Sequence, residues 1–583
     1  MNGHSSKKTS ASDDAQLKKD LHRQLLAQLA TITGGMAPDD YLQAWWSWYL
    51  SLSKEPTKQL NLVQSAFEKA LDTWRFAAHA ANGQPSSSQH QAAGFTDPSW
   101  NLWPFNLYAK TYTNWASWMQ EALSAGAQAP NPDQQRLRFA TEQFLAAASP
   151  ANFLHTNPEL LNKTVAQSGQ NLVRGLKHWL EDAQGALTGR RPGASGQFKV
   201  GVDVAVTPGK VVFRNRLMEL LQYSPQTENV YAEPVLITPA WIMKYYILDL
   251  SPRNSLVRYL VEKGHTVFMV SWKNPTAVDR DLGMDDYVQL GFKDALQVVN
   301  EVVPNRKVHA VGYCIGGTLL SISAALLGGA HDERLASVTL LAALTDFSEP
   351  GELSVFISPS QLSMLEAVMH KAGVLESERM GAAFMMLRSR DLLWTPAVDT
   401  YIRGERAQPN DLMSWNADGT RMPWRMHSEY LDRLYLKNEL ANGQFTVGGL
   451  PIDLKSIRVP MFVVGTETDH VAPWRAVYKA RELTRSPDYT FLLTSGGHNA
   501  GIACGPVHPK RRYRVLTWPN STDTRTQDDW LHAAPPNHGS WWPEWERWLV
   551  ARSDSQQEPA RPVIAPLGAA ESVLEDAPGQ YVR

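Results

Sequence analysis

Apolar residues recur at intervals of three and four along the first third of the chain, which is the spacing of one face of an α-helix. Tyr41, Trp45 and Trp48 follow this spacing, and a longer series with the same spacing occupies residues 60–74. The pattern continues with little interruption to about residue 184. We therefore predict a helical N-terminal domain over residues 17–190.

After residue 197 the pattern changes to short β-branched runs that alternate with helical stretches. Such alternation is typical of a mostly parallel sheet with helices on both faces. It predicts an α/β domain over residues 197–552, with helices at 287–302 and 318–327. The predicted strands are residues 211–213, 235–238, 266–270, 308–311, 338–341 and 461–464.

Other segments mark the limits of these domains. Residues 1–16 are polar and are expected to be a disordered tail, and residues 185–196, rich in Gly and Arg, are the predicted domain boundary. Between about 350 and 450 the strand pattern fails, and Met- and Trp-rich helical sequence predicts a cap inserted over the active site. Residues 553–583 are rich in Pro, Ala, Glu and Gln and are expected to be a flexible tail.

Composition narrows the class of protein. The 583 residues are 43% hydrophobic and 20% charged, with a net charge of −2, so neither nucleic acid nor an anionic membrane is an expected partner. Two cysteines give no disulfide framework and fit a reducing, cytoplasmic compartment. No apolar run reaches the roughly 20 residues of a membrane span, and the polar start predicts no secretory leader.

The run from Val308 to Leu319 contains the most informative motif. It reads as a strand, then Gly312-Tyr313-Cys314-Ile315-Gly316, then a helix, which is the nucleophile-elbow pattern with Cys in place of Ser. The glycines leave room for a tight turn, and the backbone N–H of Ile315 at the helix start can stabilise an oxyanion. A cysteine nucleophile would form a thioester. The alternative is a buried structural cysteine.

An acid and a base follow later in the chain. Asp469 comes just after the strand at 461–464, and His498 lies on a glycine-rich loop after a further strand. The order Cys314, Asp469, His498 is the nucleophile–acid–base order of α/β-hydrolases. Asp469 could instead cap a helix, Glu467 is a rival acid, and His470 is a rival base that adjoins the acid on one turn.

These motifs and others closely resemble the polyhydroxyalkanoate synthases over roughly residues 98–583. The resemblance includes Ser271-Trp272-Lys273-Asn274-Pro275 and the ending His538-Gly539-Ser540-Trp541-Trp542-Pro543. Length and the central elbow resemble the long single-component enzymes, class I-like with class II possible. The other matching segments are residues 152–153, 157–158, 171–176, 244–250, 254–258, 264–267, 312–318, 346–347, 469–470, 473–474, 495–498 and 578–582.

The resemblance implies an α/β-hydrolase fold with a cap insertion, preceded by the helical domain. It implies an acyltransferase that polymerises 3-hydroxyacyl-CoA, with 3-hydroxybutyryl-CoA as the expected substrate, into polyester with release of CoA. Cys314 would carry the acyl chain, His498 would act as base and Asp469 would orient it. A second oxyanion donor is expected from the backbone N–H near Trp241. No cofactor and no metal are expected, since the CoA thioester is the substrate.

Partners implied by the resemblance are a second copy of the chain in a homodimer, the storage-granule surface in the cytoplasm, and granule-associated proteins. Two departures from the family blur the class and the substrate pocket: residues 238–243 read Thr-Pro-Ala-Trp-Ile-Met, and residues 390–392 read Arg-Asp-Leu. Lys510-Arg511-Arg512 could meet CoA phosphates or could be a solvated basic turn. Rival functions are an esterase or thioesterase on the same fold and a non-catalytic granule coat.

Overall fold

The structure is a computed structural model and describes residues 37–81, 94–125, 131–187, 198–506, 508, 510–518, 525–563 and 575–583, with the isolated positions 26 and 28. The predicted tail at 1–16 and most of the predicted boundary at 185–196 lie outside the described residues. The chain forms two compact units. One contains the described parts of 28–194 together with 381–408, and the other contains those of 198–380 and 409–583.

Helices occupy most of the first unit and alternate with strands in the second. In chain order they are α1 Pro38–Ser53, α2 Pro56–Ala81, α3 Phe105–Ala125, α4 Pro132–Ala148, α5 Pro158–Ala166, α6 Gln170–Leu187, α7 Leu256–Glu262, α8 Met284–Asp286, α9 Asp294–Val302, α10 Ile315–Gly329, α11 Pro359–Ala372, α12 Ser377–Leu387, α13 Thr395–Tyr401, α14 Asp411–Ala417, α15 Trp424–Glu429, α16 Trp474–Tyr478, α17 Ala480–Leu483, α18 Gln527–Ala533 and α19 Trp542–Val550. π-Helical turns cover Tyr287–Lys293, Arg390–Trp394 and Tyr430–Leu436. None of the described helices has both the length and the apolar composition needed to span a bilayer.

In the helical unit, local sequence sets the helix starts. Asn131 and Asn157 lie just before α4 and α5, and their side-chain oxygens accept backbone N–H groups of the first turn. The fully buried Trp100 packs edge-on against Phe95, with ring centroids 4.7 Å apart. α6 contacts α13 so closely that a Cβ at Gly175 would lie 1.9 Å from a backbone carbonyl of α13.

The second unit is built on one sheet whose strand order is β15-β14-β13-β12-β7-β6-β4-β5-β2-β1-β17. The six central strands, from β13 to β5, are parallel, and the strands at both edges are antiparallel. The strands are β1 Gly209–Arg214, β2 Met218–Tyr223, β3 Asn229–Val230, β4 Val235–Thr238, β5 Val267–Trp272, β6 Val308–Tyr313, β7 Leu335–Leu341, β8 Val374–Leu375, β9 Met422–Pro423, β10 Thr446–Val447, β11 Leu450–Pro451, β12 Met461–Thr466, β13 Tyr489–Thr494, β14 Arg512–Trp518, β15 Pro536–His538, β16 Glu558–Pro559 and β17 Glu575–Asp576.

The predicted α/β architecture is confirmed. Five of the six predicted strands fall within β1, β4, β6, β7 and β12, and the sixth, at 266–270, overlaps β5, which begins at Val267. Every residue of β4, β5, β6 and β12 is buried, because helices cover both faces of a parallel sheet. The carboxyl ends of β6, β12 and β13 lie at the same edge of the sheet. The three segments that carry the predicted nucleophile, acid and base therefore meet there.

Between residues 350 and 450 the described chain adds no strand to the main sheet, and helices α11 to α15 fill the interval. The sequence predicted one insertion into the catalytic domain over this range. The structure instead divides it, because residues 381–408 cluster with the helical unit and the rest with the sheet.

The predicted flexible tail at 553–583 is wrong for the described residues. β16 pairs with β3, and β17 pairs with β1 at the edge of the main sheet. The backbone N–H groups of Gln580 and Tyr581 donate to the buried carboxylate of Glu219 at 3.0 Å, and Val582 is buried. The composition of residues 553–583 is typical of a flexible tail. Composition alone cannot show that short segments pair with strands far earlier in the chain.

Candidate active site

Cys314 lies at the junction between β6 and α10 in a backbone conformation that L-residues seldom adopt, with φ 55° and ψ −128°. Such strain at a non-glycine residue is typical of functional sites. The flanking glycines make the turn possible: a Cβ at Gly312 would lie 2.4 Å from the Cα of Gly317, and one at Gly316 would lie 2.3 Å from the carbonyl oxygen of Thr238. The thiol is therefore presented at the carboxyl edge of the sheet.

His498 and Asp469 are in direct contact. The Nδ1–H of His498 donates to Oδ2 of Asp469 at 2.8 Å, and the Cys314 thiol lies next to the imidazole and interacts with it. The hydroxyl of Thr466 also donates to Oδ2 of Asp469, at 2.8 Å. The structure thus brings together the three residues that the sequence proposed as nucleophile, acid and base.

The other oxygen of Asp469 has a separate role. Oδ1 accepts the backbone N–H groups of Val471 and Ala472 at 2.9 and 2.8 Å, so the carboxylate also holds the turn after β12. The rival acid Glu467 has another partner, because it accepts from Arg512 at 2.8 Å.

Electrostatics adjust the proton affinities of the pair. Burial alone would raise the pKa of Asp469, but the adjacent His498 and the hydrogen bonds from His498, Ala472 and Thr466 outweigh it and hold that pKa below its usual value. Burial alone would lower the pKa of His498, yet the negative charge of Asp469 and the contact with Cys314 raise it well above its usual value. An imidazole with a raised proton affinity suits a base that must deprotonate a thiol.

A small, partly open cavity of about 20 Å³ lies beside the thiol. This is room for a single water molecule and not for an acyl thioester. Tyr430 and Tyr435 lie on the π-helical turn, which brings residues five apart to one side, and their hydroxyls are 3.4 Å apart. The lining consists of Cys314, Ile315, Thr318, Ala342, Leu344, Phe347, Tyr430, Tyr435, Val471 and Ala472.

The two predicted oxyanion donors lie on segments that touch. Ile315 is the first residue of α10, and Trp241 follows β4 by three residues. The loop after β4 meets the elbow, because a Cβ at Gly316 would also lie 2.4 Å from the carbonyl oxygen of Pro239. Trp241 is buried, and its indole N–H donates to the sulfur of Met426 at 3.2 Å.

The two arginines of the basic turn at 510–512 are bound to neighbouring protein groups. Arg511 donates to the carbonyl of Ser495 at 3.1 Å, and Arg512 donates to Glu467. Sequence reasoning missed Thr466 and the tyrosines at 430 and 435 as neighbours of the site. Neither β12 nor the cap sequence carries a motif for them, and only the folded chain brings them to Asp469 and Cys314.

Two family models match the chain. The N-terminus of poly-beta-hydroxybutyrate polymerase matches residues 91–260, and the alpha/beta hydrolase fold matches residues 233–502. A poly(3-hydroxyalkanoate) polymerase of Methylorubrum extorquens is 40% identical over 494 residues, which are 84% of this chain and 80% of that protein. The chain belongs to the poly(3-hydroxyalkanoate) polymerase family. Family members act as acyltransferases, and the resemblance seen in the sequence is confirmed.

Further members of the family match this chain over most of their length. The poly(3-hydroxyalkanoate) polymerase subunit of Cupriavidus necator is 37% identical over 535 residues, covering 90% of this chain and 88% of that one. Among solved structures, a soluble variant of the monoglyceride lipase of Saccharomyces cerevisiae is similar over 62% of this chain and 100% of that one, with 12% identity and a TM-score of 0.35. The hydrolase fold itself rests on the family match and on the strand order given above.

Proposed function

We propose that this chain polymerises 3-hydroxyacyl groups from their CoA thioesters into a polyester and releases CoA, with 3-hydroxybutyryl-CoA as the preferred monomer. The observation that carries the proposal is the contact of Cys314 with a His498 that is itself bonded to Asp469. A thiolate forms an acyl thioester that retains the reactivity of the CoA bond, as repeated acyl transfer requires.

Acylation is the first step. His498 takes the proton of Cys314, and the thiolate attacks the carbonyl carbon of the acyl-CoA. The resulting oxyanion would be stabilised by the backbone N–H groups of Ile315 and Trp241. The C–S bond to CoA then breaks, the CoA sulfur takes the proton from His498, and an acyl thioester remains on Cys314.

Elongation uses the same base on a weaker acid. His498 removes the proton of the 3-hydroxyl of an incoming unit, and the oxygen attacks the carbonyl of a thioester-bound chain. An ester bond forms, and the thioester bond breaks to release a thiolate that recovers the proton. Asp469 keeps Nδ1 of His498 protonated, so Nε2 is free to accept each proton.

The preference for a short acyl group is supported by the size and lining of the cavity. Leu344, Phe347 and Val471 are among its apolar lining residues, and its volume of about 20 Å³ has to expand for any substrate. A monomer with a short side chain requires less expansion of the cavity than a monomer with a longer one. No cofactor is required by these steps. We further propose that the protein acts as a homodimer in the cytoplasm, at the surface of polyester granules and beside granule-associated proteins. This part of the proposal rests on family membership.

The test compares substrates and nucleophile variants. Purified enzyme is supplied with 3-hydroxybutyryl-CoA or 3-hydroxyoctanoyl-CoA, and CoA release, polymer and free 3-hydroxy acid are measured. We expect polymer, mainly from the shorter substrate. Cys314→Ala should abolish CoA release, whereas Cys504→Ala, the matched change at a buried cysteine, should leave most of it. Free acid in place of polymer, or normal turnover by Cys314→Ala, would contradict the proposal.

A further inference from the structure

The position of the His498 ring is critical if the proposed function holds, because the same nitrogen must meet a thiol and an alcohol in turn. His498 lies on a loop after β13, outside any helix or strand. Its bond to Asp469 fixes one edge of the ring. A single hydrogen bond leaves the ring free to swing about that contact, so a second restraint is needed to hold its other edge towards Cys314.

Such a restraint joins the residues next to the base and the nucleophile. The phenolic hydroxyl of Tyr313 donates to Oδ1 of Asn499 at 2.6 Å. Tyr313 immediately precedes Cys314 as the last residue of β6, and Asn499 immediately follows His498. The bond therefore links the base-bearing loop to the strand that carries the nucleophile.

The ring of Tyr313 makes a second contact. It lies beside the imidazole of His498, with centroids 5.6 Å apart and planes tilted by 30°. Tyr313 is buried, and burial together with the negative charges of Cys314 and Asp469 raises its pKa well above the usual value. The hydroxyl thus stays protonated and remains a donor to Asn499 at any working pH.

Asn499 is also where the loop is anchored on its far side. Its backbone carbonyl accepts the N–H groups of Ile502 and Ala503 at 3.1 and 2.8 Å. The indole N–H groups of Trp541 and Trp542, at the start of α19, bind the carbonyls of Gly501 and Ile502 at 2.9 and 3.0 Å. Loss of the Tyr313 bond would leave this far side intact and would release only the side that faces Cys314.

We propose that Tyr313 and Asn499 are positioning residues, and that their hydrogen bond holds the imidazole of His498 against Cys314 through both half-reactions. Neither side chain touches the reacting atoms in this scheme. The bond keeps the base at a fixed distance from the nucleophile while acyl groups enter and leave.

The experiment removes the bond from each side in a Cys504→Ala background, so that only one thiol is present. Tyr313→Phe deletes the hydroxyl and keeps the ring, Asn499→Leu keeps the approximate size, and the double variant combines them. Tyr489→Phe is the matched control, because it removes another buried phenolic hydroxyl that has no hydrogen-bond partner in the described structure. Steady-state polymerisation and the rate of Cys314 alkylation by iodoacetamide are measured from pH 5 to 10.

We expect kcat to fall about tenfold in each single variant, which corresponds to about 1.4 kcal/mol. KM should change little, and the double variant should be no slower than the slower single variant, because both changes break one bond. The pH profile of alkylation should move towards that of His498→Gln. Tyr489→Phe should keep the profile and kcat of the parent.

Some results would overturn the proposal. These are an unchanged kcat with an unchanged alkylation profile in both single variants, or losses that multiply in the double variant. A fall in the amount of alkylatable enzyme with an unchanged profile would show a purely structural role. If circular dichroism shows that one single variant does not fold, the same criteria are applied to the other single variant. Alkylation needs no acyl substrate. If the variants shift the alkylation profile as expected but the parent enzyme makes no polymer, the proposed function is contradicted and the positioning role is not.

Discussion

The two oxygens of the Asp469 carboxylate serve different partners, and this division predicts what the charge contributes to each half-reaction. Oδ1 holds the backbone turn and Oδ2 faces His498. In Asp469→Asn the amide oxygen can still hold the turn, but the negative charge that stabilises the imidazolium is lost. Because an alcohol is a weaker acid than a thiol, we expect elongation to fall about 100-fold or more and first acylation to fall less.

Single-turnover CoA release, compared with steady-state polymer formation, separates the two steps. His498→Gln serves as the reference and should block acylation itself. If Asp469→Asn slows first acylation and elongation equally, elongation has no special requirement for the carboxylate charge.

A second buried carboxylate has the opposite shift. Desolvation raises the pKa of Asp249 to about 6, despite hydrogen bonds from the hydroxyls of Thr207 and Ser255. An acid whose folded pKa is raised stabilises the fold below its unfolded pKa of about 4, and that contribution is lost as pH rises through about 6. The thermal midpoint of Asp249→Asn should therefore fall less than that of the parent chain between pH 4 and 7. Parallel pH profiles of the two proteins would refute this assignment.

At the scale of elements, the elbow depends on close packing between α10 and the end of β4. A Cβ at Gly316 would lie 2.3 and 2.4 Å from two backbone carbonyl oxygens, and backbone cannot move aside without shifting β4. Gly316→Ala should therefore lower the midpoint of thermal unfolding by several degrees, through strain of about 1–3 kcal/mol. It should also displace the oxyanion loop and reduce CoA release.

The matched control lies on the same helix. A Cβ at Gly329 would meet no atom closer than 3.9 Å, so Gly329→Ala should be neutral or slightly stabilising in the same calorimetric measurement. If both variants have the same midpoint and activity as the parent, the packing argument for the elbow is wrong.

The same elements show how far the sequence could predict the structure. The elbow and the order of nucleophile, acid and base were predictable because each is written in a few consecutive residues. The alternative interpretation of Asp469 as a helix cap is wrong: α16 begins at Trp474 without a side-chain cap, and Oδ1 of Asp469 holds the preceding turn at Val471 and Ala472. The bond between Tyr313 and Asn499 spans 186 residues, and no local pattern indicates it.

At the scale of the whole catalytic unit, the cavity beside Cys314 has to open. Its volume of about 20 Å³ holds no acyl-CoA, and the tyrosines of the π-helical turn Tyr430–Leu436 form part of its wall. This turn belongs to the predicted cap. A cover that shields the thioester from water and still lets a polymer out must open repeatedly.

Hydrogen exchange tests this expectation. Amides of residues 424–436 should exchange faster than those of the central strands, and they should slow when a non-hydrolysable acyl-CoA analogue binds. Helix α9, which lies outside the predicted cap, provides the internal reference. Uniformly slow exchange at 424–436 that does not respond to the analogue would show that the cap is a fixed part of the fold.

The pairing of β17 with β1 has a consequence during synthesis of the protein. Glu219 lies on β2 and receives Gln580 from 361 residues further along the chain. Until the ribosome has made that distant segment, the outer edge of β1 has no partner and the Glu219 carboxylate lacks two of its donors. An unpaired strand edge is a template for association with other chains. Nascent chains of this protein should therefore need a chaperone until residues 575–581 have been made and can pair with β1 and Glu219.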